Sequence, residues 1–156
     1  MRSQLVVPYG ALLTLSALAV VALPLAAQDR PNLSGTWQFD SSKSEMHSAK
    51  AAGATWVINE AADTNAIQIT ENLDDAGKKV DMKCTTDGKE CKVSGDKATA
   101  SFWYNGPLLV EMETKGDHVV RYRMKLSDDG KTLTVNSTTI VPQSPQDDVL
   151  VFHKQA

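Results

Sequence analysis

Hydrophobic and polar residues alternate along most of the chain after residue 30, in short runs separated by turn-forming residues. The first run covers residues 33–39. Leu33, Trp37 and Phe39 fall on one face of an extended segment, and the polar residues fall on the other. Gly35 lies on the apolar face, where a missing side chain leaves space for a large ring or another backbone. The pattern predicts a β-strand that directs Trp37 into a core.

The same alternation returns in residues 55–60, 66–70 and 149–154, while residues 40–54 are polar and alanine-rich and predict a loop or small flap. About ten candidate strands follow one another, with turn signals every 8–12 residues or so. No helical period remains outside the N-terminal segment. The pattern predicts an all-β fold, an up-and-down antiparallel β-barrel of about ten strands, because closure removes every exposed strand edge.

Three candidate hairpins centre on Asp87-Gly88, Asn105-Gly106 and Asp129-Gly130. These dipeptides are typical of two-residue type I′ turns, which set the register of the flanking strands. The predicted pairs are Met82 with Val93 and Cys84 with Cys91 about the first turn; Trp103 with Leu108, Ser101 with Val110 and Thr99 with Met112 about the second; and Leu126 with Leu133, Met124 with Val135 and Tyr122 with Ser137 about the third.

Each turn sorts most apolar side chains onto one face and most charges onto the other. The second hairpin is predicted to turn Trp103 inward and to place Glu111 and Glu113 on a solvated outer face. Phe102 and Leu109 are the exception, and they predict an apolar patch on the outer surface.

Cys84 and Cys91 fall opposite each other in the first hairpin. We expect a disulfide, worth about 2.5 kcal/mol in the chain-entropy model. Two free buried thiols are the alternative, and zinc is excluded because a structural site needs four ligands.

The N-terminus combines Arg2, an apolar run over residues 11–23 and small residues before Gln28. This pattern predicts a signal peptide over residues 1–27 and one exported domain over residues 28–156, periplasmic or extracellular. An uncleaved anchor is the alternative. Cleavage removes one of 16 basic side chains and none of 19 acidic ones, which leaves a net charge of −4. A chain without a basic patch is a poor partner for nucleic acid.

Catalytic and metal-binding patterns are missing from the sequence. His47, His118 and His153 are scattered, so we predict no metal site and no cofactor, and a lone histidine binding haem is the less favoured alternative. Ser34 lacks the frame of a nucleophile elbow. We therefore predict no catalytic residues.

The inward face has the character of a small-molecule site. It is a packed core or an apolar cavity with Ser101, Tyr122 and Ser137 as polar handles. The ligand-binding candidates are Trp56, Ile67, Ile69, Met82, Trp103, Val110, Met112, Tyr122 and Met124.

Gly35-Thr36-Trp37 on the first strand, with segments 86–90 and 126–135 behind it, resembles the lipocalin and fatty-acid-binding-protein superfamily, the calycins. The chain is most similar to secreted lipocalin-like proteins of bacteria. The resemblance implies that Gly35 and Trp37 are a structural signature and that Trp37 closes the barrel floor, often under an arginine from a late strand. Here the last strand offers only Lys154, and Arg121 and Arg123 are predicted to face outward.

The leading functional prediction is non-catalytic binding of a small hydrophobic molecule inside the barrel, with no stable membrane span after signal removal. The second is an envelope interaction module with a filled barrel that docks a partner through the surface around Phe102 and Leu109. The third is an isomerase-type enzyme on the same barrel.

Overall fold

The computed structural model describes residues 30–47, 54–73, 77–144 and 146–156, so the predicted signal peptide, residues 48–53 and the turn at residues 74–76 lie outside the described residues. Ten strands form within these ranges, and no helix does. The strands are β1 (Gly35–Phe39), β2 (Thr55–Ala61), β3 (Ala66–Asn72), β4 (Lys79–Thr85), β5 (Asp87–Ser94), β6 (Ala98–Asn105), β7 (Leu108–Lys115), β8 (His118–Leu126), β9 (Thr132–Val141) and β10 (Asp148–Lys154).

The strands close into an antiparallel up-and-down barrel in which each strand pairs with its neighbours in sequence. Closure comes from β1, which pairs with both β2 and β10: Trp37 lies opposite Trp56 on one side and opposite Lys154 on the other. The predicted fold class is confirmed. The described ranges contain no helix that is long and apolar enough to cross a bilayer.

The predicted register is confirmed for two hairpins. Met82 lies opposite Val93 between β4 and β5. Met124 lies opposite Val135 between β8 and β9, and Arg123 of β8 faces outward as predicted. Between β6 and β7 the turn sits one residue later than predicted, at Gly106-Pro107, and every pair shifts.

The predicted orientation of β6 and β7 is wrong. Phe102 and Leu109 are fully buried inside the barrel, so they form no outer patch, and Trp103, Val110 and Met112 lie on the outer wall instead. Residues directly opposite each other share a face of a sheet, so orientation passes from strand to strand. Here the inward-facing residues of β5 and β8 determine which side chains of β6 and β7 face the interior. Val93 of β5 lies opposite Ala98 of β6, and Met124 of β8 lies opposite Leu109 of β7, so Ala98 and Leu109 face inward as well.

One half of the barrel interior is packed solid around Trp37, which is 0% exposed. We call this half the floor. The indole Nε1 donates a hydrogen bond to the carbonyl oxygen of Leu33 at 2.9 Å, so burial leaves its polar atom satisfied. The other fully buried large side chains of the floor are Leu33, Ile58, Ile69, Phe102, Leu109, Met124, Leu133 and Phe152.

Lys154 occupies the place over Trp37 where the resemblance implies an arginine, and this is a departure from the family pattern. Its Nζ lies 5.3 Å from the centroid of the Trp37 ring. Gly35 makes this possible, because a Cβ at that position would lie 2.6 Å from Lys154 Cε. The space predicted beside Gly35 is therefore filled by the stem of Lys154.

A polar seal closes the floor end from outside. The Tyr104 hydroxyl donates to the carboxylate of Glu60, and that carboxylate accepts the Leu33 backbone N–H at 2.8 Å. The Arg30 guanidinium lies 5.2 Å from the centroid of the Tyr104 ring. The segment before β1 is thus fixed across the barrel end.

The β4–β5 hairpin is held together with few ladder pairs. Asp81 with Ser94 and Met82 with Val93 are the pairs formed, and towards the turn the strands are joined through Cys84 and Cys91. These cysteines lie at disulfide distance, with Cα atoms 5.5 Å apart. A crosslink here replaces the pairing that the hairpin lacks.

Candidate functional site

In the second half of the interior, several side chains face inward in register with the core, yet each keeps part of its surface accessible. This contrasts with the large apolar side chains around Trp37 in the floor, which are fully buried. We call this half the chamber. Its partly accessible inward residues are Glu71, Glu113, Val120, Tyr122, Ser137 and Thr139.

Three glutamates converge on the chamber from two walls. Glu71 of β3 lies between Trp56 and Val80 in the row of inward residues that begins at Trp37. On β7, Glu111 lies between two inward side chains, and Glu113 is the next inward residue towards the chamber end. The prediction that Glu111 and Glu113 form a solvated outer face is wrong. The reason is the orientation of β7, which Leu109 sets by packing inward.

Glu111 is the most deeply buried of the three, with 2% of its surface exposed. Among the described residues, no hydrogen bond or ion pair reaches its carboxylate. Burial raises the pKa of Glu111 well above its usual value, and the charges of Glu71 and Glu113 raise it further. A buried carboxylate without a partner is one of the costlier features a core can carry.

The pKa of Glu71 is raised as well. Burial, followed by the charge of Glu113, raises the pKa of Glu71 to about 7. Because the charge of Glu71 is among the causes that raise the pKa of Glu111, the titrations of Glu71 and Glu111 are coupled. A carboxyl that titrates near neutral pH exchanges between hydrogen-bond donor and anionic acceptor under ordinary conditions.

Tyr122 adds a neutral polar group beside the carboxylates. It lies opposite Glu111 on one side and opposite Ser137 on the other. Burial raises the pKa of Tyr122, the neighbouring glutamates raise it further, and a side-chain hydrogen bond with Ser137 acts against them. Tyr122 therefore stays protonated and offers its O–H as a donor.

The remaining walls of the chamber are apolar. Trp56 packs against Phe152 of the floor, with ring centroids 4.6 Å apart, and Phe39 meets Phe152 edge to face at 5.6 Å. Val80 and Leu150 complete this surface and are nearly fully buried. An apolar wall with a few convergent polar groups is the usual make-up of a small-molecule site.

The segment after β1 lies along the chamber end of β10. Glu45 forms a bridge with Val149 through two backbone hydrogen bonds of 2.8 Å. The backbone N–H of His47 donates to Asp148 Oδ1 at 2.5 Å, and the His47 ring lies 3.5 Å from the same oxygen. The connection that follows, residues 48–53, lies outside the described residues.

The structure divides the nine predicted ligand-binding residues into three groups. Trp56 and Tyr122 line the chamber, and Ile67, Ile69, Met82 and Met124 belong to the packed core. Trp103, Val110 and Met112 are on the outer wall, as is the predicted polar handle Ser101, so their assignment to the interior is wrong. A ligand-binding role for the inward members stays a prediction.

Sequence reasoning missed the three glutamates. A signal for Glu71 was present, since it continues the alternation of Ile67 and Ile69 on the inward face of β3. Glu111 and Glu113 follow Leu109 by the same period. The predicted Asn105-Gly106 hairpin assigns them outward, because it turns Trp103, Val110 and Met112 inward.

A second, open cleft of about 640 Å³ lies at the floor end, between the β2–β3 turn and the β4–β5 hairpin. Its apolar surface comes from Ala61, Ala66 and Ile67 together with Cys84 and Cys91, and Lys83 and Lys89 lie at its margin. The cleft follows from the sparse β4–β5 pairing. No group of three or more His, Cys, Asp or Glu side chains in the described ranges is arranged to hold a metal ion.

Comparison with solved structures shows the fold. The crystal structure of the wild-type fluorescent protein UnaG matches with a TM-score of 0.59 at 14% identity, over 78% of this chain and 96% of UnaG. The zebrafish ileal bile acid-binding protein, crystallised with cholic acid, matches with a TM-score of 0.54 at 16% identity, over 79% of this chain and 98% of that protein. No protein-family model and no curated protein matches the sequence. The described chain has the closed ten-stranded barrel of these calycin-like structures.

Proposed function

We propose that this chain is an exported, non-catalytic binding protein that holds a small, largely hydrophobic molecule in the chamber. The observation that carries the proposal is the contrast between the two halves of one interior. The floor is packed to full burial, whereas Glu71, Tyr122 and Ser137 face inward and stay partly accessible. Close packing is the rule for a protein core, so inward side chains that stay partly accessible are consistent with a space kept for another molecule.

The comparisons with solved structures support this proposal because they show a shared fold. The zebrafish protein that shares the barrel was crystallised with cholic acid, a small molecule, so the architecture is one in which such a complex forms. Export is supported by the basic, apolar and small-residue pattern of residues 1–27.

A pair of matched variants tests the chamber. Val120 faces inward beside Glu113, while Val119 is the adjacent residue and faces outward beside Thr114. Val120→Phe fills the chamber, and Val119→Phe adds the same bulk outside. The probe is the neutral fluorophore N-phenyl-1-naphthylamine, titrated into protein stripped of lipid by organic extraction.

We expect saturable, stoichiometric binding by the unaltered chain and by Val119→Phe, and binding weakened about tenfold or more by Val120→Phe, since the ring occupies the ligand's space. Circular dichroism shows whether both variants fold. Absence of saturable binding by the folded, unaltered chain would refute the proposal. Native mass spectrometry before and after extraction adds a second measurement, the mass of a co-purified ligand.

An isomerase-type proton transfer is the second candidate, and the raised pKa values of Glu71 and Glu111 favour it. Carboxyls that titrate near the working pH are suited to general acid–base chemistry. Prolonged incubation of the extracted co-purified ligand with the protein separates the two functions. A binding protein returns the ligand unchanged, whereas an isomerase yields a second species of equal mass with a different chromatographic retention time.

A further inference from the structure

We infer that the chamber selects a ligand carrying a protonated amine, with the amine held between Glu71 and Glu111 and the hydrocarbon part against the Trp56 wall. The inference rests on the proposed function and adds the chemical class of the ligand. It follows from the position of the carboxylates, the isolation of one of them and the distribution of positive charge.

The positions come from the register. Glu71 is on β3 and the other two glutamates are on β7, four strands away around the barrel, so the carboxylates approach the chamber from different walls. A group placed between these walls would meet carboxylates on more than one side. An ammonium group has three donors and no acceptor, which matches a site with several acceptors around it.

Glu111 is the independent observation that points to a ligand. It is 2% exposed, it faces the barrel interior between Phe102 and Tyr122, and within the described ranges its carboxylate makes no hydrogen bond or ion pair. Glutamate is almost never fully buried without a partner. A cationic ligand would supply that partner and would offset the cost of burial when it binds.

The described cations on the barrel wall are placed elsewhere. Lys154 faces inward but lies over Trp37 in the floor. Arg121 and Arg123 are in the same strand as Tyr122 and face outward. Neither Glu71 nor Glu111 has a described cation among the groups that shift its pKa.

Within the described part of the chain, most of the titratable groups around Glu111 are acids. Tyr122 faces it from β8, Glu71 from β3 and Glu113 from the next inward position of β7. Asp148 of β10 lies in the same row beyond Ser137 and is held by His47. Lys78 precedes β4 and lies near Asp96 at the chamber end. Local charge thus favours a cation over an anion.

Three probes of equal chain length separate the possibilities: decylamine, decanol and decanoate, each used below the concentration at which it self-associates. Affinity is measured by displacement of N-phenyl-1-naphthylamine at about pH 8, where an alkylamine with a pKa near that of lysine, about 10.4, is protonated. We expect decylamine to bind at least about tenfold more tightly than decanol, since a charged hydrogen-bonded contact adds to the shared apolar contact. Decanoate is expected to bind most weakly.

Glu111→Gln keeps the shape of the side chain and removes its charge. We expect this variant to lose about tenfold in decylamine affinity and to keep decanol affinity within about twofold. The control is Glu90→Gln, which makes the same chemical change at an exposed position of β5. Decylamine binding by the unaltered chain should also weaken as the pH falls from about 8 to about 5.5, because Glu71 takes up a proton in that range.

The outcomes keep the two proposals distinct. Decanol that binds as tightly as decylamine, or decanoate that binds most tightly, would overturn the amine inference and leave the binding function standing. Failure of all three probes to displace the fluorophore, together with no saturable binding of the fluorophore itself, would refute both. An equal loss of decylamine and decanol affinity in Glu111→Gln would assign Glu111 a structural role and overturn the inference.

Discussion

Gly35 and Lys154 act as a pair in closing the barrel floor. Gly35 has a φ of 151°, a conformation that other residues adopt only under strain, and its missing Cβ gives the lysine stem room to reach the Trp37 ring. The two positions are far apart in sequence, but their contributions to stability depend on each other. A small residue on β1 contributes most to stability when a long cationic side chain on β10 can use the space beside it.

Replacement of Gly35 by Ala should lower the free energy of unfolding by about 2 kcal/mol, from backbone strain and from displacement of Lys154. Lys154→Ala alone should cost about 1 kcal/mol or less. In Gly35→Ala the lysine is already displaced, so the double variant should be scarcely less stable than Gly35→Ala. Urea unfolding measures all three.

The control for backbone strain is Gly116→Ala. Gly116 has a φ of 62° with no atom within 4 Å of an added Cβ, so strain is the whole cost there. Fully additive effects of Gly35→Ala and Lys154→Ala would show that the two side chains do not interact.

At the scale of elements, sequence pattern was a good guide within a hairpin and a poor one between hairpins. The pairing of Met82 with Val93, and of Met124 with Val135, followed from a turn and the alternation beside it. The face that a hairpin turns inward is a property of the whole sheet, since it depends on the strands on either side. Local hydrophobicity favoured Trp103, whereas the neighbouring strands require Phe102 inside.

The orientation of β6 is tested by truncating two adjacent residues. Phe102→Ala removes a fully buried ring and should cost about 3–4 kcal/mol. Trp103→Ala removes a larger but partly accessible ring from the outer wall and should cost about 1 kcal/mol. Equilibrium urea unfolding gives both values.

Acrylamide quenching is a second measurement of the same orientation. Trp37 and Trp56 are 0% and 5% exposed, so Trp103 is the accessible tryptophan of the three. Trp103→Phe should remove most of the quenchable emission. A larger stability loss for Trp103→Ala than for Phe102→Ala would mean that β6 is turned the other way.

For the whole molecule, the buried carboxylates place function and stability in opposition. Glu71 and Glu111 sit where apolar side chains would have completed the core, and each is destabilising when charged. The sequence could indicate a barrel with an apolar lining, because that follows from alternation. It could not indicate this cluster, because the three glutamates meet only when β3 and β7 face each other across a closed barrel.

The stability of the ligand-free barrel should therefore fall as pH rises through neutrality. The pKa of Glu71 is about 7 in the folded chain, against an ordinary value of 4.5. Between those pH values the folded state holds a proton that the unfolded state has released, so raising the pH favours unfolding. We discount the shift for the partial accessibility of Glu71 and expect a loss of roughly 2 kcal/mol between about pH 5 and pH 8, a fall of several degrees in Tm.

The carboxyls whose pKa values are lowered do not interfere in this range. The pKa values of Asp40, Asp81 and Asp96 are lowered, chiefly by side-chain hydrogen bonds, so the stability they contribute is lost only under more acidic conditions. Calorimetry of lipid-stripped protein from about pH 5 to pH 8 measures how Tm changes with pH. Glu71→Gln should reduce this pH dependence and raise Tm near pH 8, whereas Glu90→Gln on the exposed face should leave the pH dependence unchanged. A Tm that is constant or rises with pH would show that the Glu71 carboxylate is solvated or neutralised in the folded chain, and the charge argument for the chamber would fail with it.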